Sequence, residues 1–395
     1  MTNSNSNSNS NTGSSSSSSS SSSKNVTTHI MNYIANLKES TIILILVGII
    51  FIVILITLLY YFYMRNLPNK ECSSMDALYS TLNGKIKSLN SADPDCGYLF
   101  RDYYIKTAYN ACSGGKYKND YVDVCVLKDL LKQGVRGLDF EIYSINDKPV
   151  VATSTVDSYH IKETYNYIDF NDVMKIIRDY AFATATAPNP GDPIIIHLRI
   201  KSENQKMYQN FAKLLENYDN LLLGKDFSYE DQGKNLGETK LLDLAGKIVI
   251  IVDRINNAFI QCQEFYEYVN MTSNSLFMRA LHYYDIAYSP DMNELIEYNK
   301  RAMTIGMPDT GANPDNPSGI VLRETGTQLI AMRYQLFDTN LQESDMVFDL
   351  AGYAFVLKPE ALRYVIVTID TPPPQNPDVS YATRTLSSDY YSFQI

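Results

Sequence analysis

Residues Thr41 to Met64 read T-I-I-L-I-L-V-G-I-I-F-I-V-I-L-I-T-L-L-Y-Y-F-Y-M, carry no charge, and leave everything large enough to fold on their C-terminal side. At about 1.5 Å rise per residue, a helix of this length crosses a hydrocarbon core roughly 30 Å thick. The run predicts a transmembrane helix over 41–64, and with it a single-pass membrane protein whose first partner is the lipid bilayer. A cleaved signal peptide is the weaker alternative, because the run is about twice the length of a signal h-region and a long polar segment precedes it. Tyr60, Tyr61, Phe62 and Tyr63 beside Arg65 read as an aromatic belt at headgroup level. Lys24 and Lys38 on one side balance Arg65 and Lys70 on the other, so the charges leave orientation open.

The flanking composition divides the rest of the chain. Residues 1–40 are largely Ser and Asn and cannot bury enough apolar surface to offset ordering entropy, which predicts a disordered tail. Residues 65–95 read as a linker, 96–370 as the folded domain and 371–395 as a C-terminal tail. The net charge of −10, without a basic stripe, argues against nucleic acid as a partner. Five cysteines (Cys72, Cys96, Cys112, Cys125, Cys262) are too few and too irregular for a disulfide framework, and no C-x-x-C suggests zinc. Bridges among the first four are compatible with an oxidising compartment. The sequons at Asn25 and Asn270 lie on opposite sides of the span, so at most one is usable.

Within the domain, short β-branched runs alternate with amphipathic stretches. Val135 to Ile142, Pro149 to Ala152, Pro193 to Leu198, Lys247 to Val252 and Gln328 to Arg333 predict buried strands. Asp120 to Gln133, Asn171 to Phe182, Asn204 to Glu216 and Asn293 to Ala302 predict helices, the second opened by a cap region at Asp169/Asn171. This alternation predicts an α/β fold with a parallel sheet covered by helices, of a length suited to a (β/α)8 barrel, with a doubly wound open sheet as runner-up. Neither a G-x-G-x-x-G nor a P-loop motif occurs, so a nucleotide cradle has no support.

Toward the C-terminus, Gly326-Thr-Gln-Leu-Ile-Ala-Met-Arg-Tyr-Gln335, then Ala351-Gly-Tyr-Ala-Phe-Val-Leu-Lys-Pro-Glu-Ala-Leu-Arg363, resembles the Y box of eukaryotic-type phosphoinositide-specific phospholipases C. That box reads G-C-Q-x-V-A-L-N-F-Q, then G-x-G-Y-V-L-K-P-x-x-L-R. Tyr298-Asn-Lys-Arg301, with Pro308 seven residues on, is similar to the family's Y-N-K-R-x-x-S-R-I-Y-P. In the X half, Phe170 to Phe182, Asp192 to Leu198 and Leu244 to Ile250 resemble the family's F-x-D-V-x-x-A-I-x-x-Y-A-F helix and its P-V-I-L-S-L and L-x-G-K-I-L-V strands. The resemblance covers roughly residues 99–365. It implies a distorted TIM barrel of the PLC-like phosphodiesterase type, phosphoric diester hydrolase chemistry, a phosphoinositide ligand and roles in lipid metabolism and signal transduction.

The family uses two histidines and a calcium ion. Imidazoles suit the task because both protonation states exist near neutrality, and a metal neutralises charge developing on phosphate oxygens. Here Tyr109 stands at the first histidine and Thr153 at the second. A phenol titrates near 10 and an alcohol not at all, so neither shuttles a proton at pH 7. The metal ligands correspond to Asn110, Asp139 and Glu141, whose carboxylates share one side of a strand by period two, while Arg199 replaces the third carboxylate. Calcium wants six or more oxygens and no adjacent cation. The expectation is therefore no cofactor, with Ca²⁺ bound only if this degenerate set still holds it, and Arg199 paired with Asp139 or Glu141 in place of metal. Headgroup lysines correspond to Ile251 and Asp253, the family's substrate arginine to Ile305, and only Ser289 aligns with a substrate-binding position.

His160 and His197 are the substitute imidazoles, weighed against a solvated loop residue and a satisfied strand residue; His282 is read as packing. Three functions follow. The first is a membrane-anchored, catalytically inactive pseudoenzyme whose barrel binds lipid or protein. Next is a metal-independent phosphodiesterase with a recruited imidazole close to Tyr109 or Thr153. The third is a structural protein of a viral envelope or host membrane, with a plugged barrel mouth.

Overall fold

A computed structural model describes residues 39–158, 160–228, 235–365 and 382–395, together with residues 28, 29, 31, 32, 373 and 376. The predicted disordered tail at 1–40 falls almost wholly outside them. The chain separates into two compact units, 1–70 and 71–395.

One helix, Glu39–Tyr79, contains the predicted span, is long and apolar enough to cross a membrane, and leaves its side chains from Ile43 to Tyr63 largely exposed. It runs on through residues 65–79 with Pro68 inside it, where the sequence reading had a linker. The end of this helix belongs to the second unit: Met75 and Tyr79 are buried there, the Tyr79 hydroxyl donates to the Tyr334 carbonyl at 2.8 Å, and Cys72 is bridged to Cys125. Cys96, Cys112 and Cys262 are free and buried.

The second unit is a parallel barrel with a few antiparallel additions. Its strands are β1 (Tyr103–Ala108), β2 (Gly137–Ile145), β3 (Lys148–Val151), β4 (Ile168–Asp169), β5 (Ile194–Ile200), β6 (Ile248–Asp253), β7 (Met271–Ser273), β8 (Met278–His282), β9 (Met303–Met307), β10 (Leu329–Met332) and β11 (Phe355–Leu357). Eight of them run parallel in the order β7-β6-β5-β2-β1-β10-β9-β8. Among the described residues no ladder joins β7 to β8, so the barrel is nearly closed. Expected strands and helices lie within about two or three residues of the observed ones, except at the helix Val124–Lys132, which begins after its Asp123 cap. Pro149 to Ala152 is the buried strand expected there, β3, and it pairs antiparallel with β2 as a hairpin outside the barrel wall.

β5 and β6 are buried on both faces, as a barrel wall covered by helices requires, which is why Ile194-Ile-Ile and Ile248-Val-Ile-Ile-Val read as unbroken apolar runs. Where β1 pairs with β2, Thr107 faces Gly137, and a Cβ at that glycine would overlap the Thr107 hydroxyl. The β2–β5 register sets Asp139 against His197 and Glu141 against Arg199. That register, more than any single motif, assembles the mouth of the barrel.

Asn270 is 3 % exposed and bonded through its amide to the Ile250 N–H and the Gly224 carbonyl, so its sequon is closed to glycosylation in the folded chain. The last residues form a small exposed hairpin of β12 (Thr385–Ser387) and β13 (Ser392–Gln394), within the segment read as a tail.

Candidate functional site

Strand direction carries the C-terminal ends of β1, β2, β5, β6, β7 and β8 to one end of the barrel, where parallel barrels place their chemistry. Arg199 sits among them, 2 % exposed. Its Nε donates to Asp139 Oδ1 at 3.1 Å and its Nη2 to Asp139 Oδ2 at 2.8 Å, a side-on fork. Nη2 also donates to Asn110 Oδ1 at 3.0 Å, and Nη1 lies 3.1 Å from both Glu141 Oε1 and Asp157 Oδ1. Four of these contacts are hydrogen bonds, to Asp139 twice, Asn110 and Asp157, and the fifth is an ion pair with Glu141. The Tyr109 ring covers it, with the guanidinium carbon 4.6 Å from the ring centroid.

The three residues matched to metal ligands are thus brought together as expected, and Arg199 consumes their oxygens. Asn110 adopts φ 46°, a left-handed conformation asparagine tolerates, and this turn directs its amide inward. Glu141 is further saturated by the Tyr143 hydroxyl at 2.7 Å, the Ser154 hydroxyl at 3.0 Å and the Ser154 N–H at 2.9 Å. A calcium ion does not fit here: it would have to share Asp139, Glu141 and Asn110 with a guanidinium already at hydrogen-bonding distance, adding two charges beside one. Burial alone would raise the Asp139 pKa, but Arg199 and His197 hold it well below the usual carboxylate range. Burial likewise works against the Arg199 charge, and Asp139 foremost outweighs it, keeping the guanidinium protonated.

Tyr109 and Thr153, which the sequence comparison sets at the two histidines, are both buried. Tyr109 is 5 % exposed, and burial pushes its hydroxyl well above the ordinary phenol range. Thr153 is 1 % exposed and donates to the Tyr117 carbonyl at 2.9 Å.

His197 and His160 also find partners. The His197 Nδ1 lies 2.7 Å from Asp139 Oδ1 and its Nε2 2.9 Å from Ser273 Oγ. The ring thus lies between a carboxylate and a hydroxyl that itself reaches Asp253 Oδ1 at 3.4 Å. Ser273, His197 and Asp139 stand in the order of a serine-hydrolase triad, but all three have 0 % exposure, so no substrate atom reaches Ser273. His160 is exposed, with Nδ1 3.2 Å from the Lys201 carbonyl, and lines a cavity of about 510 Å³ with Arg199, Lys201, Asp253 and Asn256. Ser289 follows the helical turn Tyr283–Ala287 and is outside that cavity.

Three residues at the mouth carry no family motif. Asp157, on the segment between β3 and β4, meets Arg199, places Oδ1 3.7 Å from the Lys201 ammonium, and puts Oδ2 2.5 Å from His282 Nε2. His282 Nδ1 is 2.6 Å from the Pro308 carbonyl. Both ring nitrogens therefore face acceptors, which only the imidazolium satisfies, and Asp157 raises the His282 pKa against the effect of its burial. His282, read as packing, is corrected to a charged partner at the end of β8. Lys201 was within reach of sequence reasoning, since it follows Arg199 at period two; Asp157 carried no signal beyond its place in a long segment.

Residues 99–254 match the family model described as phosphatidylinositol-specific phospholipase C, X domain. No curated protein matches the chain. PLC21 from L. pealei superposes with a TM-score of 0.55 at 18 % identity, over 68 % of this chain and 38 % of that one. PLC21 from S. officinalis gives 0.54 at 18 %, over 70 % and 39 %. This chain thus spans about two fifths of those proteins' length, and the likeness is one of fold. A Ca²⁺-dependent phosphatidylinositol-specific phospholipase C from Streptomyces antibioticus gives a TM-score of 0.40 at 12 % identity, over 66 % of this chain and 99 % of that one.

Proposed function

We propose that this chain, a divergent relative of the phosphatidylinositol-specific phospholipases C by its X domain and barrel, is a membrane-anchored pseudoenzyme that binds at its barrel mouth and does not hydrolyse phosphodiesters. One observation carries the reading: the Arg199 guanidinium spends its N–H donors on Asn110, Asp139, Glu141 and Asp157, which neutralises the ligand set from within. The alternative of a metal-independent phosphodiesterase needs a free imidazole over an open pocket near Tyr109 or Thr153. His197 and His282 instead have both nitrogens engaged and Tyr109 and Thr153 are buried, which leaves that alternative only His160, exposed on the cavity wall with its Nδ1 facing the Lys201 carbonyl. The helix Glu39–Tyr79 supports membrane anchoring, and the Cys72–Cys125 bridge favours an oxidising compartment for the barrel.

The test is release of water-soluble inositol phosphate from phosphatidylinositol and its bisphosphate by the full chain in mixed micelles, with calcium and with chelator, beside the double variant Tyr109→His, Thr153→His. No release is expected from either protein, since the variant still carries Arg199. Calcium-stimulated turnover by the natural sequence would refute the reading.

A further inference from the structure

The mouth holds three cations around a single carboxylate. Arg199 comes from β5 and Lys201 from the residue that follows it, His282 from β8, and Asp157 reaches them from a segment that starts on the far side of β2. That segment, residues 152–167, joins β3 to β4 without regular structure among its described residues. Connections of this length inside a compact domain are uncommon and are usually functional. Its outer part is fastened by Glu163, which accepts from the Thr155 N–H at 2.8 Å and pairs with Lys118 at 2.8 Å. Its first residues are fastened inward, Thr153 to the Tyr117 carbonyl and Ser154 to Glu141, so the stretch 156–162 lies between two anchors; from it Asp157 meets the cations with a side chain 26 % exposed, against 1 % for Arg199 and 7 % for Lys201, and His160 faces the Lys201 carbonyl.

The donor set around Asp157 is that of an oxyanion site. Guanidinium, ammonium and imidazolium groups converge on the two oxygens of one carboxylate, and the Lys201 ammonium also holds the Asp157 carbonyl. Arg199 keeps Asp139 and Glu141 whatever happens to Asp157, so its charge is already balanced. Lys201 and His282 are not balanced in that way: without Asp157, the remaining carboxylates near Lys201 are Glu141 and Asp253, and burial and Arg199 already lower the Lys201 pKa. The cavity of about 510 Å³ opens directly beside this carboxylate, with Asp157, Ser158, His160, Arg199 and Lys201 on its wall.

We propose that Arg199, Lys201 and His282 form an anion-binding site that the chain fills with its own Asp157, and that a phosphate ester takes the place of the carboxylate when the stretch 156–162 swings aside. A phosphate monoester offers three non-bridging oxygens to the Arg199 Nη1, Lys201 Nζ and His282 Nε2 donors and a diester two, set tetrahedrally, where the carboxylate offers two in one plane. The proposal deepens the preceding reading, in that the bound phosphate is held and not turned over.

Asp157→Asn keeps the size of the side chain and removes the competing charge. If the segment is closed nine tenths of the time, apparent affinity is lowered about tenfold, so the variant should bind inorganic phosphate about tenfold more tightly than the natural chain. Calorimetry on the full chain in detergent micelles reads this, and adding Lys201→Met should abolish the gain. Equal affinity in a folded Asp157→Asn protein overturns the proposal. Should that variant not fold, hydrogen exchange of residues 153–163 in the natural chain decides. The chain is reconstituted in phosphatidylcholine vesicles, with inorganic phosphate added in one arm and phosphatidylinositol included in the other. Faster exchange in the first arm supports a soluble phosphate, faster exchange in the second a lipid headgroup, and unchanged protection in both overturns the site. Release of inositol phosphate in these preparations would refute the loss of hydrolysis while leaving the binding result in force.

Discussion

Replacing Arg199 by Met keeps much of the side-chain volume and removes the one buried cation that Asp139 and Glu141 share. Both carboxylates are about 1 % exposed or less, so the screening that weakens surface pairs does not apply. Breaking a buried pair by removing one partner costs roughly 3–5 kcal/mol, a large part of the 5–15 kcal/mol that holds a typical domain together. On a scale of about 2–4 °C per kcal/mol, the barrel's transition should fall by about 6–20 °C. The signal is tyrosine near-ultraviolet circular dichroism, since the chain has 31 tyrosines and no tryptophan.

The pH dependence of this loss has a definite sign. In the natural chain the Asp139 pKa is held below its unfolded value, so its stabilisation is present above about pH 4 and is lost as pH falls through the folded pKa. In Arg199→Met the burial effect is opposed by His197 and the Asn110 N–H without the guanidinium, protonation relieves it, and the gap between the two proteins should narrow from pH 7 toward pH 4. Calcium provides the control. With the guanidinium gone, Asn110, Asp139, Glu141 and Asp157 face one another as oxygen ligands, and calcium at about a hundred times its Kd should return about 2.7 kcal/mol to the variant and nothing to the natural chain. A loss under about 1 kcal/mol, the range of a surface pair, would refute the reasoning. So would calcium stabilising both proteins equally.

Other outcomes are equally specific. Cys72→Ser opens a cross-link between residues 53 apart and should cost about 4 kcal/mol on the loop-entropy relation, with dithiothreitol lowering the natural chain's melting temperature and leaving the variant's unchanged. His282→Gln should destabilise the mouth at pH 6, and because the His282 pKa is raised, the difference should vanish as pH rises through it; a difference constant to pH 9 would count against the imidazolium. Ser273 should resist fluorophosphonate labelling in the native chain, and stoichiometric labelling there would show that the Ser273–His197–Asp139 row is reachable. Gly137→Ala should cost roughly 1–3 kcal/mol in thermal unfolding through overlap with Thr107, and a neutral result would mean that β1 and β2 can part locally.

Much of this protein is written in short-range pattern. The uncharged run at 41–64 specifies a helix because all of it but Thr41 and Thr57 is apolar or aromatic, and the β-branched runs at Ile194 and Ile248 specify buried strands for the same local reason. The substitutions at positions 109, 153 and 199 are legible too, since a phenol, an alcohol and a guanidinium have chemistry independent of the fold. Local pattern also led the reading astray: residues 65–79 looked like a linker because they are polar, whereas packing of Met75 and Tyr79 and the bridge at Cys72 keep them helical. His282 looked like packing for want of a visible partner.

What the tertiary structure decided is who meets whom. Arg199 reaches Asp139 across 60 positions and Asn110 across 89, and Asp157 reaches His282 across 125. Such contacts depend on strand register and on the path of one segment between β3 and β4, and a one-residue slip between β2 and β5 would send Asp139 and Glu141 to the opposite face. The sequence by itself determined the elements and their order, because those follow from side-chain chemistry and local periodicity. The self-neutralised mouth belongs to the fold, because a charge finds its partner only after the barrel has closed around it.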